Sequence, residues 1–462
     1  MNKKNIISAV AFVLFYAVSV IGFSSISRYI DDVNTYSTKL TTNQREILIF
    51  ISRIPRLVFE SILEIKAAIQ NEPIFFLEKK ENVEKSNWVR HFPEAKDPGY
   101  ILLSAIDKET KNSSVRLLRI SDGTVIARWD PNWQEIYQKI SARNTNNNGS
   151  RLKVHAHNAL LTPDGDLVFH TGDQVGSLVK LSACTNQIMW VSDIPVHHSV
   201  ERDADGNFWA PSFSQEPLTE YPLINGRIID DSIAFISNNG KMIKNLSFAK
   251  ILLQNDLQWL LFGTAGVGLH HDPLHLNQIN IASEDSKFWV KGDLLISSRH
   301  LSTVFLYRPS TNKIIWFKTG PWMGQHDAAF INDHQISVFD NNAITFAPKN
   351  MAFLKSTDIN RVIVYDFIND RISQPFKDLL TTSTPLTHTQ GRSRILPDGG
   401  LFIEESNSGR HIRFTDKQLL WSRVNDYDEK HIGLVFWSRY LTATEASIPI
   451  KALSAKGCSG KD

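Results

Sequence analysis

Cysteine is nearly missing from this chain. Cys184 stands mid-sequence and Cys458 four residues before the end, so there is no disulfide framework and no thiolate spacing for a metal. One bridge is conceivable in an oxidising compartment, but two unconnected cysteines are the plainer expectation. An excess of one charge sign is missing too: Lys plus Arg number 50 against 48 Asp plus Glu, a net charge of +2. That balance, with no long run of either sign, excludes the clustered basic surface that a nucleic-acid partner requires. No P-loop pattern occurs. The glycine-rich stretch "GTAGVGLHHD" (Gly263 to Asp272) lacks the strand–helix setting of a nucleotide loop. No cofactor motif is found, and none is expected.

The N-terminus holds the one long apolar run. Lys3 and Lys4 precede an uncharged stretch from Ile6 to Phe23. At 1.5 Å per residue it spans about 27 Å, close to the hydrocarbon thickness of a bilayer. "VSVIGFSS" offers no small-x-small cleavage site, so an uncleaved anchor is expected over residues 1–30. The two lysines place its start in the cytoplasm and the rest of the chain across the inner membrane, facing the periplasm. Residues 31–90 follow with apolar residues at helical spacing, as in "REILIFISRIPRLVFESILEIKAAIQ", and read as a helical stalk.

From Gly99 the period changes. Four segments follow one template and close on Trp129, Trp190, Trp316 and Trp421; "GDLVFHTGDQVGSLVKLSACTNQIMW" and "GDLLISSRHLSTVFLYRPSTNKIIW" are two of them. Each reads as strand, polar turn, strand, polar turn and a last strand ending in Trp. Two degenerate copies begin at "HHSVERDADGNFWAP" and "QHDAAFINDHQISVFDN". Six meanders predict an all-β, six-bladed propeller over residues 91–430, because one four-stranded sheet cannot cover its own two faces. Each Trp is expected to fill the wedge between blades. Residues 431–462 are read as a C-terminal extension.

Histidine recurs in this template. His157, His198 and His326 each lie seven residues before the Asp of a turn, Asp164, Asp205 and Asp333, and so open innermost strands. His275 in "HLNQINI" opens another. Innermost strands line the channel of a propeller, so the four rings converge at one mouth and need an anion or a metal as partner. Arg299 in "LLISSRHL" replaces the Gly172 and Ser406 of other copies. A guanidinium beside imidazoles suits a tetrahedral oxyanion and repels a divalent cation. Asp327 directly follows His326, and along a strand its side chain points the other way, which makes it structural. His270 and His271 are expected in a loop over the channel mouth, where aromatics such as Trp322 would flank a phenol.

The run "H-x-N…SSR" (His275, Asn277, Ser297 to Arg299) followed by "GQHDA…FDN" (Gly324 to Ala328, Phe339 to Asn341) resembles the bacterial arylsulfate sulfotransferase family. "HHSVERDADGN" and "GRSRILPDGG" resemble its other blade starts, and the likeness covers residues 95 to 425. It implies a periplasmic propeller that moves a sulfuryl group from a phenolic sulfate to an acceptor phenol without a nucleotide donor. His326 then corresponds to the nucleophile that becomes a sulfohistidine. His275, Arg299 and His198 correspond to sulfate-binding and acid/base groups, His198 serving the leaving oxygen in protonated form. His197 remains an alternative to His198, and with His157, Asn277 and Asn341 it is expected to bind substrate. Two rival readings stand beside this one. One is a metal-dependent propeller oxygenase with iron on four channel histidines, and Arg299 counts against it. The other is a non-catalytic, membrane-tethered binding propeller, which has no use for both His326 and Arg299.

Overall fold

The structure, a computed structural model, describes residues 77–79, 88–94, 96–141, 154–172, 176–214, 216–219, 221, 228–263, 271–346, 353–356 and 358–458, with Gly22. The expected anchor over 1–30 and most of the expected stalk lie outside them. Among the described residues no helix is long and apolar enough to cross a membrane. Within 31–90 the described residues form strands, Leu77–Lys79 and Trp88–Arg90, where a helical stalk was expected.

An all-β, propeller-like arrangement is built from antiparallel meanders. The first sheet combines Tyr100–Ile106, Ser113–Arg119 and Val125–Trp129 with the late strand Arg439–Leu441, which pairs along Tyr100 to Leu102. Leu276–Ile281, Leu294–Ser298, Thr303–Arg308 and Lys313–Thr319 make another. Asp327–Phe330, Gln335–Asp340, Arg361–Asp366 and Arg371–Ser373 make a third, from which a hairpin of Ala343–Phe346 and Phe353–Ser356 projects. Arg392–Ile395, Leu401–Glu405, Arg410–Phe414 and Leu419–Val424 make a fourth, extended to five strands by Trp88–Arg90.

These four are discrete blades; six separate ones were expected. The two meanders between Ala156 and Ser247 are instead fused into one eight-stranded sheet. Val196, the last residue of strand Ile188–Val196, pairs with Gly176 of its own meander on one side and with Ser212 of the next one, Phe208–Phe213, on the other. The template spacing marks the meanders but carries no signal for that bridging pair.

The burial pattern explains why the central strands read as apolar runs. Leu167–Thr171, Leu294–Ser298 and Leu401–Glu405 are buried at every position, whereas the outer strand Lys313–Thr319 is not. A strand with neighbours on both faces gains apolar burial at odd and even positions alike. Each main core cluster joins successive meanders. Leu102, Val115 and Trp129 pack with Ala156, Leu167 and Phe169, and Ile101 and Leu103 pack with Phe402 and Trp421, so the last sheet meets the first. The expected Trp wedges are present, but unequally. Trp129 and Trp421 are fully buried, while Trp190 and Trp316 lie half-buried against Phe208 and Tyr365 of the following meanders. Gly240, at φ +78°, turns the chain over Trp190, where a Cβ would sit 2.8 Å from the indole.

Residues 431–462 do more than extend the fold. Arg439–Leu441 closes the first sheet, and helix Ala443–Ala455 starts on a capping box of Thr442 and Glu445. Cys458 then bonds Cys184 in a disulfide, across a separation of 274 residues, contrary to the expectation of two unconnected thiols.

Candidate functional site

Innermost strands begin with the histidines, as the repeat register anticipates. His326 directly precedes Asp327–Phe330, His275 precedes Leu276–Ile281, and His157 lies within Ala156–Leu161. His198 sits three residues ahead of Glu201–Arg202. His198 and His275 have left-handed backbones, φ +57° and +50°, as does Trp437 at +56°. Non-glycine residues adopt that conformation at a cost of order 1–3 kcal/mol, which surrounding structure must offset, and such strain concentrates at functional sites.

Three rings meet. His198 lies 4.9 Å from His275 and 6.4 Å from His326, centroid to centroid. His326 is 2 % exposed, and its Nδ1 lies 2.8 Å from Asn341 Oδ1. Asn341 cannot be turned over, because its Nδ2 already donates to the carbonyls of Thr387 and Gln390 at 3.0 and 2.9 Å. Its Oδ1 must therefore accept, which places the proton of His326 on Nδ1 and the free lone pair on Nε2. Burial, and then the charge of Arg299, push His326 well below the ordinary histidine range, so the ring is neutral.

The same logic settles the His197–His198 pair. His197 Nε2 donates to the Ser212 carbonyl at 3.2 Å, so its Nδ1 accepts from His198 Nδ1 at 2.8 Å. His198 Nε2 is then a bare acceptor. Burial, with His275 nearby, holds His198 well below its ordinary value, and burial takes His197 down to about 3. The protonated His198 expected from the sequence is thus disfavoured in this site; a neutral base fits the network. His197 turns away, within 3.6 Å of Asp231.

His275 donates Nδ1–H to Asp272 Oδ2 at 2.6 Å. Burial alone would raise the Asp272 carboxyl, but this bond and the adjacent imidazoles hold it down to about 2. Arg299 is held by its backbone N–H on the His275 carbonyl at 3.0 Å, and its Nε is buried with no hydrogen-bond partner. Asn277 is fully buried; its Nδ2 reaches the Gln325 carbonyl at 3.4 Å, and its Oδ1 is left over. His157 stands apart, 5.5 Å from Trp437, whose ring is 6.5 Å from His326. It belongs to a second buried cluster with His155 and His170. Burial, and then His170 and His155, keep His157 well below its usual value.

Several neighbours escaped the sequence reading. Asp272 ends the "GLHHD" run and His300 directly follows Arg299; the His300 ring stacks on His275 at 4.4 Å. Trp437 lies in the segment read as an extension, and only closure of the first sheet carries it to the channel. Trp322, expected beside a phenol, is 2 % exposed and packs between two sheets. Asp327 is structural as expected, accepting from the Ser393 backbone at 3.2 Å. Of the expected mouth residues, His270 lies outside the described residues.

Among the described residues, Asp272, His275 and His300 offer three ligand atoms within 4.8 Å of one another. That set differs from the four-histidine iron site of the rival reading, and Arg299 adjoins it. The arrangement instead sets neutral imidazole lone pairs beside a guanidinium whose Nε is unspent, a pairing that can offer a nitrogen nucleophile to an oxyanion held by Arg299.

An all-β propeller-like protein with a buried imidazole–guanidinium cluster is the class that this geometry defines. The sequence model of the arylsulfotransferase (ASST) family matches residues 157–425, more than half of the chain, and the chain belongs to that family. No curated protein matches it. Among solved structures, a protein of unknown function from Bacteroides caccae is similar at 11% identity and TM-score 0.42, over 75% of this chain and 99% of that one. The Dos1 propeller is similar at 8% identity and TM-score 0.34, over 79% and 88%.

Proposed function

We propose that this arylsulfotransferase-family protein moves a sulfuryl group from a phenolic sulfate ester to an acceptor phenol through a sulfohistidine on His326, without a nucleotide donor. The observation that carries the reading is the His326–Asn341 pair, which leaves Nε2 unprotonated in a neutral, buried ring. In the first half-reaction the Nε2 lone pair forms an N–S bond in line as the S–O bond to the aryl group breaks, and the phenolate departs. The ring gains positive charge, which the Nδ1–H bond to the Asn341 carbonyl stabilises. Arg299, Asn277 and His275 face the charge spread over the sulfuryl oxygens, as donors do in phosphoryl transfer. In the second half-reaction the acceptor phenol attacks sulfur, its proton goes to His198 Nε2, and His326 is restored. That proton then passes from His198 to the phenolate released in the first half-reaction, so both histidines end neutral and the products are the donor's phenol and the new aryl sulfate.

Counting the eight-stranded sheet as two blades joined at Val196 and Ser212 supports a six-bladed propeller. The apolar run from Ile6 to Phe23 behind Lys3 and Lys4, together with the Cys184–Cys458 disulfide, supports an inner-membrane anchor with the propeller in the periplasm. The test is intact mass of the purified full-length chain after brief exposure to 4-nitrophenyl sulfate. A gain of roughly 80 Da, lost in His326→Asn and discharged by added phenol, is expected of nucleophilic catalysis. Absence of both adduct and nitrophenolate would sink the mechanism.

A further inference from the structure

The innermost strands have a second end. Leu276–Ile281 begins at the His275 cradle and finishes, about 17 Å on at strand rise, at Ile281. From there back to Arg392, the strands Leu276–Ile281, Asp327–Phe330, Arg392–Ile395 and Arg439–Leu441 line a cavity of about 670 Å³. A cavity of that size accommodates a small organic ligand. It does not belong to the histidine site: none of the cradle residues lines it.

Three arginines line this cavity, and two of them are fully engaged. Arg439 donates to Glu201 at 2.9 Å, to the carbonyls of Ala159 and Val200, and to Asn158. Arg394 forks onto Glu445 at 2.6 and 2.9 Å and also reaches the Tyr440 carbonyl. Arg392 differs. Its side chain is only 13% exposed, yet among the described residues it makes no hydrogen bond, and its Nη1 is buried without a partner. The nearest carboxylate, Asp327, is 3.7 Å from Nε and already accepts from the Ser393 backbone. The Arg392 guanidinium otherwise lies over the Trp437 ring at 5.6 Å. A guanidinium so far removed from water loses hydration that only an oxyanion or carbonyl can replace. The rest of the wall is mixed, with Phe330 and Ile281 beside Asn280 and Ser337.

We propose that this cavity, which runs along the innermost strands from Arg392 beside Asp327 to Ile281, is a second ligand site, and that it takes an oxyanion with a compact apolar body, held by Arg392. Carboxylate and sulfonate share this chemistry, and Arg392 can fork onto either. The apolar body lies along Phe330 and Ile281. The site stands independently of the sulfuryl-transfer reading, since it uses no residue of the cradle.

Calorimetric titration of the full-length protein tests it with two probes that cannot donate a sulfuryl group, 4-bromobenzenesulfonate and 4-bromobenzoate. The sulfonate is expected to fill two sites per chain, one weakened by Arg299→Ala and the other by Arg392→Gln, each roughly tenfold or more. Ala329→Trp fills the cavity without touching Arg392, and it is expected to abolish the same event while 4-nitrophenyl sulfate turnover persists. If the benzoate alone fills the Arg392 site the ligand is a carboxylate; if the sulfonate alone does, it is a sulfonate or sulfate. A single binding event removed by Arg299→Ala overturns the proposal. So does a second event that survives both Arg392→Gln and Ala329→Trp. Absence of 4-nitrophenyl sulfate turnover in the wild-type protein, with two binding events present, would instead refute the catalytic reading and leave the second site standing.

Discussion

Replacing Asn341 by Ala is the sharpest probe of the cradle, because it alters His326 without touching its ring. The side chain makes three hydrogen bonds, to His326 Nδ1 at 2.8 Å and to the carbonyls of Thr387 and Gln390 at 3.0 and 2.9 Å. Each contributes about 1 kcal/mol net, and buried partners left unsatisfied cost more, so a stability loss of about 2–4 kcal/mol is expected. The effect on rate has a separate origin. Without the Asn341 carbonyl the Nδ1 proton loses its side-chain acceptor, and the tautomer with its lone pair on the wrong nitrogen becomes more populated. The charge that develops on the ring during attack also loses its acceptor. A lost hydrogen bond to a charged group is worth about 1.5–3 kcal/mol, which slows formation of the sulfuryl adduct roughly 10- to 150-fold. The measurement is the single-turnover rate of nitrophenolate release from 4-nitrophenyl sulfate, with folding checked by thermal melting. A folded Asn341→Ala protein whose rate stays within about twofold of wild type would refute the tautomer argument.

Three other expectations follow from particular contacts. Loss of the Cys184–Cys458 bond opens a loop of 274 residues, so Cys458→Ser is expected to lose up to about 5 kcal/mol in denaturant unfolding, and an unchanged midpoint would contradict it. Trp421 is 1% exposed and packs on Trp88 at 5.1 Å and on the first sheet; Trp421→Ala should cost about 3–5 kcal/mol by the same measurement. Burial holds His197 at about 3, far below the unfolded value, so the unfolded chain binds more protons between these limits. Stability is therefore full above the unfolded value and falls as pH drops toward 3, by about 2 kcal/mol at pH 5 from this residue alone. His197→Gln should flatten that part of the curve, and an unaltered slope would show that other groups carry it.

Much of the architecture was legible because it repeats. A strand covered on both faces must be apolar throughout, and a turn between such strands must be polar, so "GDLVF" and "GDLLI" announce their places without reference to the rest of the chain. His157, His198 and His326 could be aligned for the same reason: seven residues separate each from the Asp of its turn, and a strand keeps its register between them. The fusion of two meanders through Val196 and Ser212 was not legible, since one bridging pair depends on how far a strand happens to run.

Chemistry divides along the same line. Residue type and spacing alone determined that His198, His275 and His326 open innermost strands and that Arg299 is an intruder in its template. Only the tertiary structure decided their protonation. Tautomers are set by partners from distant strands: Asn341 must have its amide spent on Thr387 and Gln390 before His326 Nε2 is known to be bare, and Ser212 must accept from His197 before His198 becomes a base. The disulfide and the arrival of Trp437 likewise depend on the C-terminal strand returning to the first sheet, hundreds of residues from its partner. Local pattern governs what neighbours along the chain must be; burial and hydrogen bonding across the channel are sums over residues that the chain does not place side by side until it has closed.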